Sequence, residues 1–303
     1  MGSPAAAVPA LRAATEIGDV VAVITRPDQP AGRGRKISST SVAAAAEALG
    51  IPVHRPETMR TGEAQALAPD VVLVVAYGRI LPRRVLDVPP LGCVNVHFSL
   101  LPRHRGAAPV ARAILAGDVE TGVTLMKLDE GMDTGPTLAL RSVPVGPDET
   151  AGDLTERLAD LGADMVRECL PRYLAGRIDP RPQPSEGATL APPLRKEDGR
   201  IRWDRPADDV HRLVRAVNPQ PGAFTFLSGV RLLVHRARLL PGVRSPGPGR
   251  LLVEGRRLAV GCADGCVELL DVQREGGRRT DAASFLAGFA VPPEAAFEEA
   301  QRT

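Results

Sequence analysis

Across the first half of the chain, short apolar runs alternate with stretches of helical periodicity, and that alternation restricts the fold to an α/β domain with a Rossmann-like, mainly parallel sheet. Strands are expected at residues 20–25, 70–76, 93–97 and 123–128, and helices at about 8–16, 41–49 and 107–116. A longer helix follows. It is opened by the capping-box pair Thr150 and Asp153, and it carries Leu154, Leu158, Leu161 and Met165 at helical spacing, the mark of a core-facing stripe. Residues 179–199 are rich in proline and polar side chains without periodicity, as an interdomain linker would be. Beyond them Val210, Leu213, Val214 and Val217 mark one helix. Apolar runs are then punctuated by Ser228-Gly229, Glu254-Gly255 and Asp264-Gly265, turn dipeptides suited to the hairpins of a small, OB-like antiparallel barrel. The expected organisation is an α/β domain over 1–178, a linker over 179–199 and a barrel domain over 200–303.

A chain of 303 residues with 44% hydrophobic composition can build two such cores. No apolar stretch approaches the ~20 residues that cross a bilayer, and the start lacks a charged segment followed by a continuous apolar one, so no membrane partner and a cytoplasmic location are expected. Four scattered cysteines, Cys93, Cys169, Cys262 and Cys266, make neither a disulfide framework nor a zinc site, and no metal is called for. Only Lys36, Lys127 and Lys196 among the 38 basic residues are lysines, a bias expected of GC-rich coding. Net charge is +2, but residues 195–281 carry 17 basic and 11 acidic side chains, so the second half could meet a polyanion or simply present a solvated arginine-rich surface.

The chemistry-bearing segment is Asn95-Val96-His97-Phe98-Ser99-Leu100-Leu101-Pro102, with Asp133 following in Asp129-Glu130-Gly131-Met132-Asp133-Thr134-Gly135. Side chains two apart in a strand share a face, so Asn95 and His97 project together, at the end of an apolar run where open α/β sheets bind ligands. Attack of an amine on a carbonyl carbon needs a donor for the developing oxyanion and an acceptor for the amine proton. Asn95 can supply the first, and His97, as imidazolium or neutral donor, can do the same or protonate the oxyanion. A carboxylate at Asp133 would raise the pKa of the histidine, fix its tautomer or accept a proton through water. Taken alone, an Asn-x-His pair is more often structural than catalytic.

The loop that follows changes that reading. Asn-x-His-x-Ser-Leu-Leu-Pro, then Arg105-Gly106-Ala107-Ala108-Pro109, then Gly-Met-Asp-Thr-Gly resembles the active-site signature of folate-dependent formyltransferases, and in its long form that of the methionyl-tRNA formyltransferases. The resemblance implies catalytic roles for Asn95, His97 and Asp133. It also implies a folate site lined by Ser99, Leu100, Leu101 and Pro102, with Tyr77, Gly78 and Ile80 of the Val75–Pro82 turn and Asp129 beside it. The basic segment from Arg26 through Arg33, Arg35 and Lys36 resembles the mobile loop that in this family enters the acceptor end of tRNA; its glycines do not form a dinucleotide fingerprint, because Ile37 occupies the third glycine position. Arg200-Ile201-Arg202-Trp203 and Arg215 through Ala223 match the family's C-terminal half, which glycinamide ribonucleotide formyltransferases lack, and the resemblance implies a catalytic domain over 1–178 and a tRNA-binding barrel domain over 200–303. The implied activity transfers the formyl group of 10-formyltetrahydrofolate, a co-substrate, to methionyl-initiator tRNA. The implied protein is a monomer that selects this tRNA by its weak first base pair.

Three positions depart from the family pattern: His104 in place of an aromatic, Ala111 in place of Gln, and Gln220 in place of Trp. They put packing and tRNA contacts in question more than chemistry. Family members open with an apolar strand before a Gly-Thr-Pro loop, whereas Gly2-Ser3-Pro4 already matches that loop, so a gap beside residues 20–25 and a loss of stability are expected. The rival readings are another formyltetrahydrofolate enzyme (a hydrolase or a nucleotide-sugar N-formyltransferase), a nicotinamide oxidoreductase, and an inactive RNA-binding remnant.

Overall fold

The computed structural model describes residues 1–31, 36–289 and 295–298. The chain divides into two compact units, the first comprising Met1–Pro109, Glu120–Pro144 and Thr155–Pro192, the second Val110–Val119, Val145–Leu154 and Pro193–Thr303. In order, the elements of the first half are α1 (Val8–Ile17), β1 (Val23–Ile24), β2 (Gln29–Ala31), β3 (Lys36–Ser38), α2 (Ser41–Ala48), β4 (Val53–His54), α3 (Thr61–Ala66), β5 (Val72–Val74), α4 (Arg83–Leu86), β6 (Cys93–His97), α5 (Pro109–Ala116), β7 (Glu120–Lys127), β8 (Thr137–Pro144) and α6 (Ala151–Leu174).

The α/β class expected of the first half is what forms. Strand β6 pairs in parallel with β5, antiparallel with β7, and β7 carries β8 at the edge. Val94 and Val96 on one face of β6 and Cys93 and His97 on the other are buried, as a central strand covered on both faces requires. A separate parallel pair joins β1 to β4. Between the two sets lie Met1 and Gly2. Gly2 N–H donates to the Ile24 carbonyl at 3.1 Å, and the Met1 carbonyl accepts from Val75 N–H at 2.9 Å, so the gap expected beside residues 20–25 is spanned by backbone hydrogen bonds. Helix α6 crosses close to the sheet at Gly162, where an added Cβ would lie 2.7 Å from Val96 Cγ1. Its stripe is buried at Leu158 and Met165, and Val166 extends it.

The segment expected to be a linker is only partly one. Up to Pro192 it belongs to the first unit, because its main chain pairs with that unit's loops. Arg181 and Thr137 exchange two hydrogen bonds at 2.8 and 2.9 Å, and Ala191 N–H donates to the Arg105 carbonyl at 2.7 Å. Proline-rich composition reports missing helix and strand periodicity, but not whether the remaining N–H and C=O groups find partners.

In the second unit α7 (Ala207–Ala216) is followed by β9 (Ala223–Leu227), β10 (Val230–Leu240), β11 (Leu251–Glu254), β12 (Arg257–Gly261), β13 (Cys266–Arg274), β14 (Arg279–Asp281) and α8 (Ala282–Gly288). The order β11-β12-β13-β10-β9 is antiparallel throughout, and β14 adds to β13. The three turn dipeptides fall at or beside the expected hairpins. The ends of this sheet are joined by residues 295–298: Leu251 N–H donates to the Ala295 carbonyl at 3.0 Å, Phe297 N–H to Gly249 at 2.8 Å, and Glu298 N–H to Phe226 at 3.0 Å. Barrel closure removes the exposed strand edges that an open sheet would leave. Trp203, Val210, Val214, Leu232, Leu258, Leu269 and Phe297 fill this interior.

Candidate active site at the end of strand β6

Asn95 and His97 emerge from the carboxyl end of β6, paired with Met126 and Thr124 on β7. The ring of His97 is 5% exposed. Its Nε2 lies 2.9 Å from the His104 carbonyl, which can only accept, so Nε2 carries the proton and Nδ1 is the free nitrogen of the neutral ring. Nδ1 faces Asp133 Oδ2 at 3.6 Å, an ion-pair distance too long for a direct hydrogen bond. Burial pushes the His97 pKa below its ordinary 6.5; the Asp133 carboxylate and the bond to His104 oppose that shift without reversing it. The resting ring is therefore neutral near pH 7.

The Asp133 carboxylate is held from both sides. Gly106 N–H donates to Oδ2 at 2.8 Å, and Asn95 Nδ2 approaches Oδ1 at 3.4 Å. Gly106 has φ 126°, and an added Cβ there would lie 2.7 Å from the Ala191 carbonyl oxygen, so only glycine lets this donor reach the carboxylate. Asp133 itself sits at φ 53°. The structure thus brings Asn95, His97 and Asp133 together. Around them it adds groups that motif spacing does not reveal: the His104 carbonyl, the Gly106 amide, and Gln183, whose Nε2 donates to the carbonyls of Asp133 at 2.8 Å and Gly135 at 2.7 Å.

The Ser99–Pro102 wall is fixed by Thr124, whose hydroxyl donates to the Ser99 carbonyl at 2.7 Å and accepts from Leu101 N–H at 3.1 Å. Ser99 is itself buried and donates to the Arg103 carbonyl at 2.6 Å, while Leu101 also points inward, so the accessible side chains of this loop are Leu100 and Pro102. Tyr77 is buried, Gly78 is exposed in a left-handed turn at φ 74°, and Ile80 is 88% exposed. Asp129 is exposed. Its carboxylate accepts from Gly131 N–H at 3.1 Å and from the Thr134 hydroxyl at 2.8 Å, which shapes the turn that presents Asp133. The exposed Arg26 lies over the Gly78 turn, its guanidinium 3.8 Å from where a Cβ on Gly78 would sit. Of the other basic residues in that loop, Arg33, Arg35 and the side chain of Lys36 lie outside the described residues. The arms of the loop are β2 and β3, paired antiparallel, and Asp28 at its base pairs with Arg55 at 3.1 Å. Among the described residues no cluster of three His, Cys, Asp or Glu side chains could hold a metal ion, and no helix is long and apolar enough to cross a membrane.

Comparison with known proteins agrees with this architecture. Residues 4–170 match the formyl transferase model and residues 193–290 the formyl transferase C-terminal domain. A methionyl-tRNA formyltransferase of Myxococcus xanthus is 50% identical over 97% of this chain and 95% of its own length. Among solved structures, an N-formyltransferase of Helicobacter canadensis in complex with folinic acid and dTDP-3-aminofucose superposes with a TM-score of 0.69 at 18% identity, covering 92% of this chain and 97% of that one. HypX from Aquifex aeolicus in complex with tetrahydrofolic acid gives 0.60 at 20% identity, over 79% of this chain and 43% of that one. The two structural likenesses speak to fold alone, whereas the matched models and the near-full-length sequence identity speak to descent, so the chain belongs to the formyl transferase family and, within it, to the methionyl-tRNA formyltransferases.

Proposed function

We propose that this chain transfers the formyl group of 10-formyltetrahydrofolate to the α-amino group of methionine on initiator tRNA, with Asn95, His97 and Asp133 as its catalytic residues. The amine nitrogen bonds to the formyl carbon, the bond from that carbon to N10 of the folate breaks, and the proton lost by the amine ends on N10. The observation that carries the division of labour is the His97 tautomer. Its Nε2–H is committed to the His104 carbonyl and burial keeps the ring neutral, which supports Nδ1, facing Asp133, as proton acceptor and carrier. That leaves Asn95 as the oxyanion donor, its amide making no approach among the described residues closer than the 3.4 Å one to Asp133.

The folate is proposed to lie against Leu100, Pro102 and the Tyr77–Ile80 turn, with Ser99 and Leu101 shaping that wall from behind and Asp129 setting the turn across from it. Folates bound to the two structural neighbours support this class of co-substrate. The basic loop with Arg26, Arg33, Arg35 and Lys36 is proposed to meet the tRNA backbone. The direct test incubates the protein with 10-formyltetrahydrofolate and methionyl-initiator tRNA and measures formylmethionyl-tRNA. Its absence, with folate bound, would overturn the reading; formylation of a nucleotide amino sugar instead would replace it.

A further inference from the structure

The segment 181–191, read from the sequence as linker, touches both groups that bracket the His97 ring. On one side Thr189 Oγ1 accepts from His104 N–H at 2.8 Å, beside the carbonyl that receives the ring proton. On the other side Gln183 meets the turn that carries Asp133. We propose that Gln183 is a positioning residue for formyl transfer, clamping the main chain at Asp133 and Gly135 so that the Asp133 carboxylate stays against His97 and Asn95. This inference rests on the formyl-transfer reading above.

The chemistry of the side chain is what the place demands. Both carbonyls can only accept, and both can be served by one NH2 group. The opposite end of the amide, Oε1, accepts from Arg105 Nε at 3.1 Å and Nη2 at 2.7 Å, and a guanidinium can only donate. Partners of fixed polarity at each end therefore determine the orientation of the amide. A glutamate in this place would set a carboxylate oxygen against two carbonyl oxygens, and a lysine could not accept from Arg105. Gln183 is placed by the Arg181–Thr137 pairing two residues earlier, which ties the segment to the edge of β8.

Asp133 has something to be held against. Its φ of 53° is a left-handed conformation that aspartate adopts at a cost and keeps only where surrounding bonds define it. The turn's own fastening, Asp129 to Gly131 and Thr134, is exposed to water. Gln183 supplies the half-buried fastening, on the two carbonyls either side of Thr134. A displacement of about 1 Å in a catalytic group can lower turnover on the order of 100-fold.

Two variants of the full chain test this: Gln183→Met, which keeps length without hydrogen bonds, and Gln183→Glu, which keeps the Arg105 side and reverses the other. Both should bind folate and melt within a few degrees of the parent, while kcat for formylation falls roughly 10- to 100-fold and KM for folate stays within about threefold. A second readout needs no substrate: titration of the His97 ring by NMR. The charged and polar groups facing that ring are Asp133, the His104 carbonyl and the His104 ring. With the main chain at Asp133 no longer clamped, the carboxylate swings about its Gly106 bond away from the ring, so Gln183→Met should shift the His97 midpoint to lower pH. Unchanged kcat, a loss confined to KM, or an unmoved His97 titration would each overturn the positioning role. A parent protein that makes no formylmethionyl-tRNA would overturn the formylation reading instead, and the titration would still decide whether Gln183 holds Asp133.

Discussion

At the scale of single residues, the site turns on which nitrogen of His97 holds a proton. Because burial lowers its pKa below 6.5, the unfolded chain takes up that proton before the folded one does. The stabilisation is thus fully present above pH 6.5 and is lost as pH falls through the lowered folded value. His211, pushed down by burial and then by Arg215, acts in the same direction. Denaturant midpoints measured from pH 7.5 down to 5.5 should fall, and His97→Gln should make that fall shallower. The same ring should set an acid limb in kcat/KM with a midpoint below 6.5. Substituting Asn95 by Ala should lower kcat by ~100-fold or more with little change in folate affinity, because an oxyanion donor acts mainly on the transition state; a change confined to KM would assign Asn95 to binding. The trio was legible because strand periodicity and a short loop motif put two of its members on one face. Gln183 and the His104 carbonyl were not. One acts across 50 residues of sequence from Asp133, and the other acts through main chain, which any residue supplies.

At the scale of elements, periodic signals located β5, β6 and β7 and helices α1, α2, α5 and α6, but not the edge strand β8 or the short elements β4, α3 and α4. Strand β6 forms over the residues expected, and α6 buries its stripe but runs on to Leu174, because Val166 and Leu170 continue the apolar face. What the stripe could not announce is how near the helix comes to the sheet. At Gly162 a Cβ would meet Val96 at 2.7 Å and a second valine, Val123, at 3.8 Å. Gly162→Val should therefore cost about 1–3 kcal/mol through overpacking, read as a lowered denaturation midpoint at unchanged m-value. Gly62→Val, where nothing lies within 4 Å, is the matched control for the loss of glycine itself. The basic hairpin makes an electrostatic prediction. Replacing Arg33 or Arg35 with Ala should weaken formylation of charged tRNA and reduce the magnitude of its log-log salt slope by about one for each phosphate no longer neutralised. Kinetics that stay unchanged at low and moderate salt would make the hairpin a solvated surface.

At the scale of the whole molecule, two cores sit in two units, and every residue proposed for chemistry and for folate belongs to the first. The barrel was legible as hairpins, since turn dipeptides are local. Its closure was not, because residues 295–298 join strands that lie far from them in sequence. Phe297 is the test of that closure. Its ring stacks on Trp203 at 5.2 Å between centroids, its backbone pairs with Gly249, and it is 3% exposed. Truncating a buried aromatic to alanine typically costs about 3–5 kcal/mol, and here the missing ring would also uncover Trp203. If the second unit adds tRNA contacts to those of the basic loop while folate touches the first unit alone, Phe297→Ala should raise KM for methionyl-tRNA and lower its binding. Affinity for a folate analogue, measured by calorimetry on the same preparation, should stay within about twofold. Equal loss of both affinities would show that the barrel lesion reaches the formyl site, and a role for the second unit in tRNA binding alone would then fall.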